Sequence, residues 1–252
     1  MGWAMAGRQT LDGKPVPGSG FRVPGSCSGS GSRFTVHGSG LAVFLIAILF
    51  TALSGAALAK LDDRFRLVPV GADGVIPYFI ADGAERSQFR ASDTQLAIWA
   101  LDEWQRRTGR VLRFERTERE ESALLRFTWL PWAEDAALGR MDASTVDGHP
   151  AASIIVRPDE NQFRPTVRRG VRVDPLLRDV VLYYVCLHEI GHALGLSHSS
   201  NPRDVMWPGN NGVTLPIYER YRHLIQTRGD IPRTSWLSHD DLARFTEIWS
   251  VP

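Results

Sequence analysis

Cysteine is nearly missing from this chain. Cys27 and Cys186 are the only two in 252 residues, and they lie far apart, the first in a Gly/Ser-rich leader. A disulfide framework is therefore not expected, and stability has to come from packing, with or without a bound metal. A surplus of charge is missing as well. Lys plus Arg number 29 and Asp plus Glu 28, so no overall field draws the protein to nucleic acid, and no nucleic-acid partner is expected. No internal repeat is present. With 43% hydrophobic and 23% charged residues, the composition suits one folded domain with an ordinary core; a monomer is expected.

Residues 1–40 are rich in Gly, Ser and Pro and short of apolar side chains, so a disordered leader is expected there. Residues 41–58 are then apolar without a single charge, and the run ends in Ala57-Leu58-Ala59 before Lys60. Small residues at that spacing fit a signal-peptidase site, which would make 41–59 a signal peptide and the protein exported. The flank before the run carries Arg8, Lys14, Arg22 and Arg33 against Asp12, a bias that keeps the N-terminus cytoplasmic. The rival reading is an uncleaved membrane anchor through 41–58, since the run is almost long enough to span a bilayer. A third is a start codon placed too early, which would make the long leader artefactual. Export or anchoring both put residues 60–252, the expected catalytic domain, outside the cytoplasm.

Within 60–252 the elements are readable. Residues 75–80 look like a first strand, with Pro77 near its start. Ser92-Asp93-Thr94-Gln95 has the pattern of a capping box, followed by Leu96, Trp99, Ala100 and Trp104 on one helical face and Gly109 at the end. Residues 111–114 and 124–130 are β-prone, a Gly/Asp-rich loop runs through Asp147-Gly148-His149-Pro150, and 151–156 reads as another strand. The stretch 160–174, with Arg164, Arg168, Arg169 and Arg172, reads as a solvated loop in preference to a patch for acidic substrates. Residues 180–194 are apolar around most of a helical circumference, as in a buried helix. Ser238-His239-Asp240-Asp241 is a second capping-box pattern, with Leu242, Phe245 and Trp249 behind it.

The buried helix carries His188-Glu189-Ile190-Gly191-His192. Imidazoles at i and i+4 stand one above the other and can share a metal ion, while Glu189 projects to another azimuth and is free to act as a base. Gly195 lets the helix end in a left-handed turn that brings His198 back toward the same point. Three ligands leave the fourth position open, which is the mark of a catalytic site. A bare H-E-x-x-H arises by chance about once in a hundred chains of this size, and requiring Gly195 and His198 lowers that roughly five-hundredfold. Two His and a Glu on an apolar helix also demand a partner, because buried ionisable groups are costly unless paired or metal-bound.

The run His188 to Ser199, followed by Val205-Met206-Trp207-Pro208, resembles the zinc helix and Met-turn of the metzincins, and Ser199 directly after the third histidine resembles the matrixins among them. Leu237 to Leu242 is similar to the start of the matrixin C-terminal helix. The resemblance implies an α+β, zincin-like fold: a twisted five-stranded mixed sheet with three helices, the active-site helix followed by a Met-turn. It implies one catalytic Zn2+ on His188, His192 and His198, with Met206 beneath it. It implies a metalloendopeptidase cutting internal bonds of extended protein or peptide substrates through a zinc-activated water, with Glu189 as general base and acid. The alternative is a catalytically inactive peptide-binding module of the same fold. The strand at 151–156 is then expected at the sheet edge, binding substrate through Ala152 and Ile154, and Pro216 and Tyr218 resemble the family's pocket wall, displaced by an insertion in 209–236. Neither the family's Pro-Arg-Cys-Gly latency motif nor its His- and Asp-rich loops are present, so neither a cysteine switch nor calcium is expected.

Overall fold

The computed structural model describes residues 65–71, 73–109, 111–132, 137–209 and 214–250. The apolar run at 41–58 and its cleavage site lie outside them. Five strands form one sheet: β1 (Ile76–Ile80), β2 (Phe114–Arg116), β3 (Leu125–Trp129), β4 (Gly139–Val146) and β5 (His149–Val156). Their spatial order is β2-β1-β3-β5-β4, with β4 alone antiparallel. The sheet is mixed and five-stranded, as expected. Alternation decides which face is inward: Ile76, Tyr78 and Ile80 in β1, and Leu125, Phe127 and Trp129 in β3, are buried at every second position.

The Gly/Asp-rich stretch is not the long loop expected from its composition. It is β4 and a tight hairpin, in which Asp147 and Gly148 both take positive φ (49° and 80°) and Val146 pairs with His149. An Asp-Gly pair between strands matches the twist such a turn needs. β5 consequently lies between β3 and β4, and β4 forms the edge.

Three helices occupy the places expected: α1 (Asp93–Arg107), α3 (Leu176–Ala193) and α5 (His239–Trp249), numbered with two that composition concealed, α2 (Pro165–Val173) and α4 (Thr214–Arg222). α2 replaces the expected solvated loop. Its Pro165 sits at the helix start, where no donor is missed, and Val167 and Val171, four apart, bury against the core. α4 lies in the 209–236 insertion and packs against α3.

α3 is buried at fourteen of eighteen positions, so it is the central element on which α1 and α4 lean. Its ends are set by different means. The entry is held by a buried ion pair: both guanidinium nitrogens of Arg178 donate to Asp93 at 2.8 and 2.9 Å, joining α3 to the start of α1. Ser92 does not cap α1; Asp93 accepts the Arg90 backbone N–H instead, at 2.9 Å. The exit is a Schellman turn. Gly195 has φ 96°, its N–H bonds His192 O, and Leu196 N–H returns to Gly191 O. At α5 the expected capping box is present, Ser238 Oγ accepting from Asp241 N–H and Asp241 from Ser238 N–H.

Candidate active site

The exit turn of α3 brings the three histidines together. His192 Nε2 stands 3.1 Å from His188 Nε2 and 3.2 Å from His198 Nε2. The Nδ1 atoms face the other way: His188 Nδ1–H donates to Val205 O and His192 Nδ1–H to Leu196 O, each at 2.8 Å. Those bonds fix the tautomer, leaving a bare lone pair on each Nε2. Lone pairs cannot hydrogen-bond one another, so their convergence calls for a cation. Tetrahedral ligands about 2.0–2.1 Å from a zinc ion stand about 3.3 Å apart, close to the separations seen. The donor set therefore fits zinc.

Burial, with neighbouring imidazoles adding to it, holds His188 down to about 3, and burial likewise lowers His192 and His198. All three are neutral at physiological pH, the state in which a metal can be bound. Glu189 is buried beside them. Desolvation raises its carboxyl to about 8, with Asp142 adding to the rise and the Met141 backbone N–H opposing it.

The loop after His198 is tied down from two sides. Asp204 accepts from Ser199 Oγ, from Asn201 Nδ2 at 3.1 Å and from Ser238 Oγ at 2.8 Å. Asp241, at the start of α5, accepts the Val205 N–H at 2.8 Å and the Met206 N–H at 3.3 Å. Met206, fully buried, is thereby pressed on Gly191, where any Cβ would collide with its sulfur. Gly191 is small because Met206 lies under the helix between the two histidines.

A cavity of about 1240 Å³ opens over the triad. Its walls are the start of β4 (Gly139, Met141), the turn of α3 before His188 (Tyr184, Val185), and Val167 and Tyr218 from α2 and α4. Of the residues expected to bind substrate, Tyr218 is in this wall. Pro216 is exposed and outside it; on a helix its place falls to Ile217. Ala152 and Ile154 are not at the site either. They are 1% and 0% exposed on β5, which is flanked on both sides, so among the described residues the sheet edge next to it is β4. Reading the Asp-Gly pair as a hairpin would have revealed β4. Trp132 and Phe163, also in the wall, carry no local signal that would have marked them.

The matrixin family model matches residues 75–216, more than half of the chain. Macrophage metalloelastase of Rattus norvegicus is 35% identical over 71 residues, a stretch that covers 28% of this chain and 12% of that protein's length. A solved structure of archaemetzincin from Methanopyrus kandleri aligns with 77% of this chain and 99% of its own at 12% identity and a TM-score of 0.40, too distant to bear on the assignment. With the family match spanning the sheet, the histidine helix and the Met-turn, the chain belongs to the matrixins, a family of zinc metallopeptidases.

Proposed function

We propose that the protein is a zinc-dependent endopeptidase that hydrolyses internal bonds of extended polypeptides. The observation that carries this reading is the convergence of three neutral Nε2 atoms beside a buried carboxyl that is not needed as a ligand. His188, His192 and His198 would hold the ion. Bound zinc supplies a Lewis acid that polarises the scissile carbonyl and lowers the pKa of water toward 7. With the ion bound, its positive charge would offset the desolvation that raises Glu189 and favour the carboxylate, which accepts the proton of the attacking water and returns it to the leaving amine. Assistance of this kind is typically worth about 10²- to 10⁴-fold in rate. Retention of Glu189 disfavours the inactive peptide-binding alternative, since three imidazoles suffice for the metal.

The free edge of β4 offers unpaired backbone groups to an extended chain, which would add as an antiparallel strand. The cavity wall includes Val167 and Tyr218, the latter against Tyr184 one turn before His188, and Gly195 and Ile248, which meet where α3 ends beyond His192. Room on both sides favours cutting within a chain over trimming its end. The test is digestion of a mixed peptide library by the zinc-loaded chain, with and without a zinc chelator, beside Glu189→Ala. Internal cuts should vanish with the chelator and in the variant, while metal analysis finds one zinc per chain in both proteins. Undiminished cutting by a zinc-replete Glu189→Ala protein would end this assignment.

A further inference from the structure

Four arginines around α2 take no part in the chemistry above. Arg164 precedes the helix and Arg168, Arg169 and Arg172 lie on it, with no acidic residue anywhere in Pro165–Val173. Val167 and Val171 are the helix's buried contacts, and Arg164, Arg169 and Arg172 are exposed. Arg168 donates to the Asn161 carbonyl at 2.7 Å. Among the described residues none of the four pairs with a carboxylate, whereas Arg178, Arg222 and Arg228 close by are paired with Asp93, Asp174 and Asp179. Residues 164, 168 and 172 recur at every fourth position, so they form a row about 12 Å long on one side of the helix.

The row begins at the cavity, because Arg164 and Val167 belong to its wall. Strand direction tells which part of a substrate would meet it. β4 starts at the cavity with Gly139 and Met141 and runs away from it. Gly139 stands over Glu189 and Val185, and Tyr218 lies on Tyr184 in that same turn of α3, so a peptide lying antiparallel to β4 would run toward that turn, with the residues after the cleaved bond on the side walled by Val167 and Tyr218. An extended chain advances about 3.3 Å per residue, so the row spans about four residues.

We propose that Arg164, Arg168 and Arg172 form a subsite for carboxylate side chains in the substrate segment that follows the cleaved bond, so that acidic polypeptides are the preferred substrates. This rests on the endopeptidase reading. Each exposed pair contributes little, up to about a fivefold gain, and three acting in line give about tenfold at low ionic strength. Salt screens the effect.

The experiment compares kcat/KM of the zinc-loaded chain for three peptide series that differ only at the second to fifth residues after the bond, carrying Glu, Gln or Lys. The Glu series should be cleaved about ten times faster than the Gln series at 0.05 M salt, with the gap closing at 0.5 M. The double variant Arg168→Ala/Arg172→Ala should bring the Glu series toward the Gln rate and leave the Gln rate unchanged, and Arg168→Lys/Arg172→Lys should restore much of the preference. Equal Glu and Gln rates in the unaltered protein at low salt would overturn the subsite, and that comparison needs no variant to fold. Arginine-dependent binding to anionic phosphatidylserine vesicles without any peptide preference would assign the row to a membrane surface instead and also overturn it. Failure to cleave any series would remove the endopeptidase reading, and the subsite with it.

Discussion

Neutral imidazole is the protonation state the triad needs, and burial supplies it. The folded-state pKa values of His188, His192 and His198 all lie below the ordinary 6.5, His188 at about 3. As pH falls below about 6.5 the unfolded chain takes up protons that the folded site refuses, so metal-free protein loses stability from there downward. Glu189 works in the opposite direction. Its folded carboxyl is raised to about 8, so between about 4.5 and 8 the unfolded chain has released a proton that the folded chain keeps, and stability falls as pH rises. Glu189→Gln removes that loss. Melting of the chelated protein from pH 4 to 9 should therefore show the variant gaining on the unaltered chain with rising pH, and both declining below pH 6. A gap between the two that does not change with pH would mean Glu189 is ionised in the metal-free site.

At the scale of elements, α3 is positioned by its two ends. The Asp93–Arg178 pair is 0% and 1% exposed; removal of Arg178 leaves the Asp93 carboxylate buried without its counter-charge, whereas removal of Asp93 leaves Arg178 beside Glu160 and Asp179. Arg178→Ala should cost about 3–5 kcal/mol by chemical denaturation, as for broken buried pairs in general, and Asp93→Ala less, because Glu160 and Asp179 remain beside Arg178. The double variant Asp93→Ala/Arg178→Ala should cost less than the sum of the two. Additive losses would show that the pair does not act as a unit. At the other end Gly191 and Met206 share one space. Gly191→Ala should displace Met206 and with it Val205, whose carbonyl orients His188. The expected result is a protein that folds but binds zinc roughly 10- to 100-fold more weakly, the usual size of such outer-shell losses. Unchanged zinc affinity would show that the loop absorbs the extra methyl.

For the whole molecule, we propose export, with the mature chain beginning at or near Lys60, on the ground that Ala57 and Ala59 suit a signal peptidase. N-terminal sequencing of protein from its native host decides it. Intact chain released only by detergent would point to the anchored form. The mature molecule should owe its activity to zinc and be indifferent to a calcium-selective chelator, because calcium needs several clustered oxygen ligands and the loops between Asp135 and Asp174 lack that acidic density. A calcium-dependent rise in melting temperature would contradict this.

Local spacing determined what local geometry can determine. His188, Glu189 and His192 fall where they must on a helix with 3.6 residues per turn, Gly195 sets the one left-handed residue that turns the chain, and Ser238 with Asp241 caps α5. Each of these depends on residues within a few positions of one another. What depended on distant partners was hidden. β5 has the more apolar run, yet the edge is β4, because strand order follows from pairings across the sheet and an edge strand open to water needs few apolar side chains. The arginine-rich stretch is helical because Val167 and Val171 find the core, which its charge obscured. Asp93 looked like part of a cap until α3 brought Arg178, 85 residues away, against it. The sequence by itself determined the ligand set and the turn that gathers it. Only the tertiary structure decided which strand forms the sheet edge, and that the arginine-rich stretch is a helix, since both rest on contacts between residues far apart in the chain.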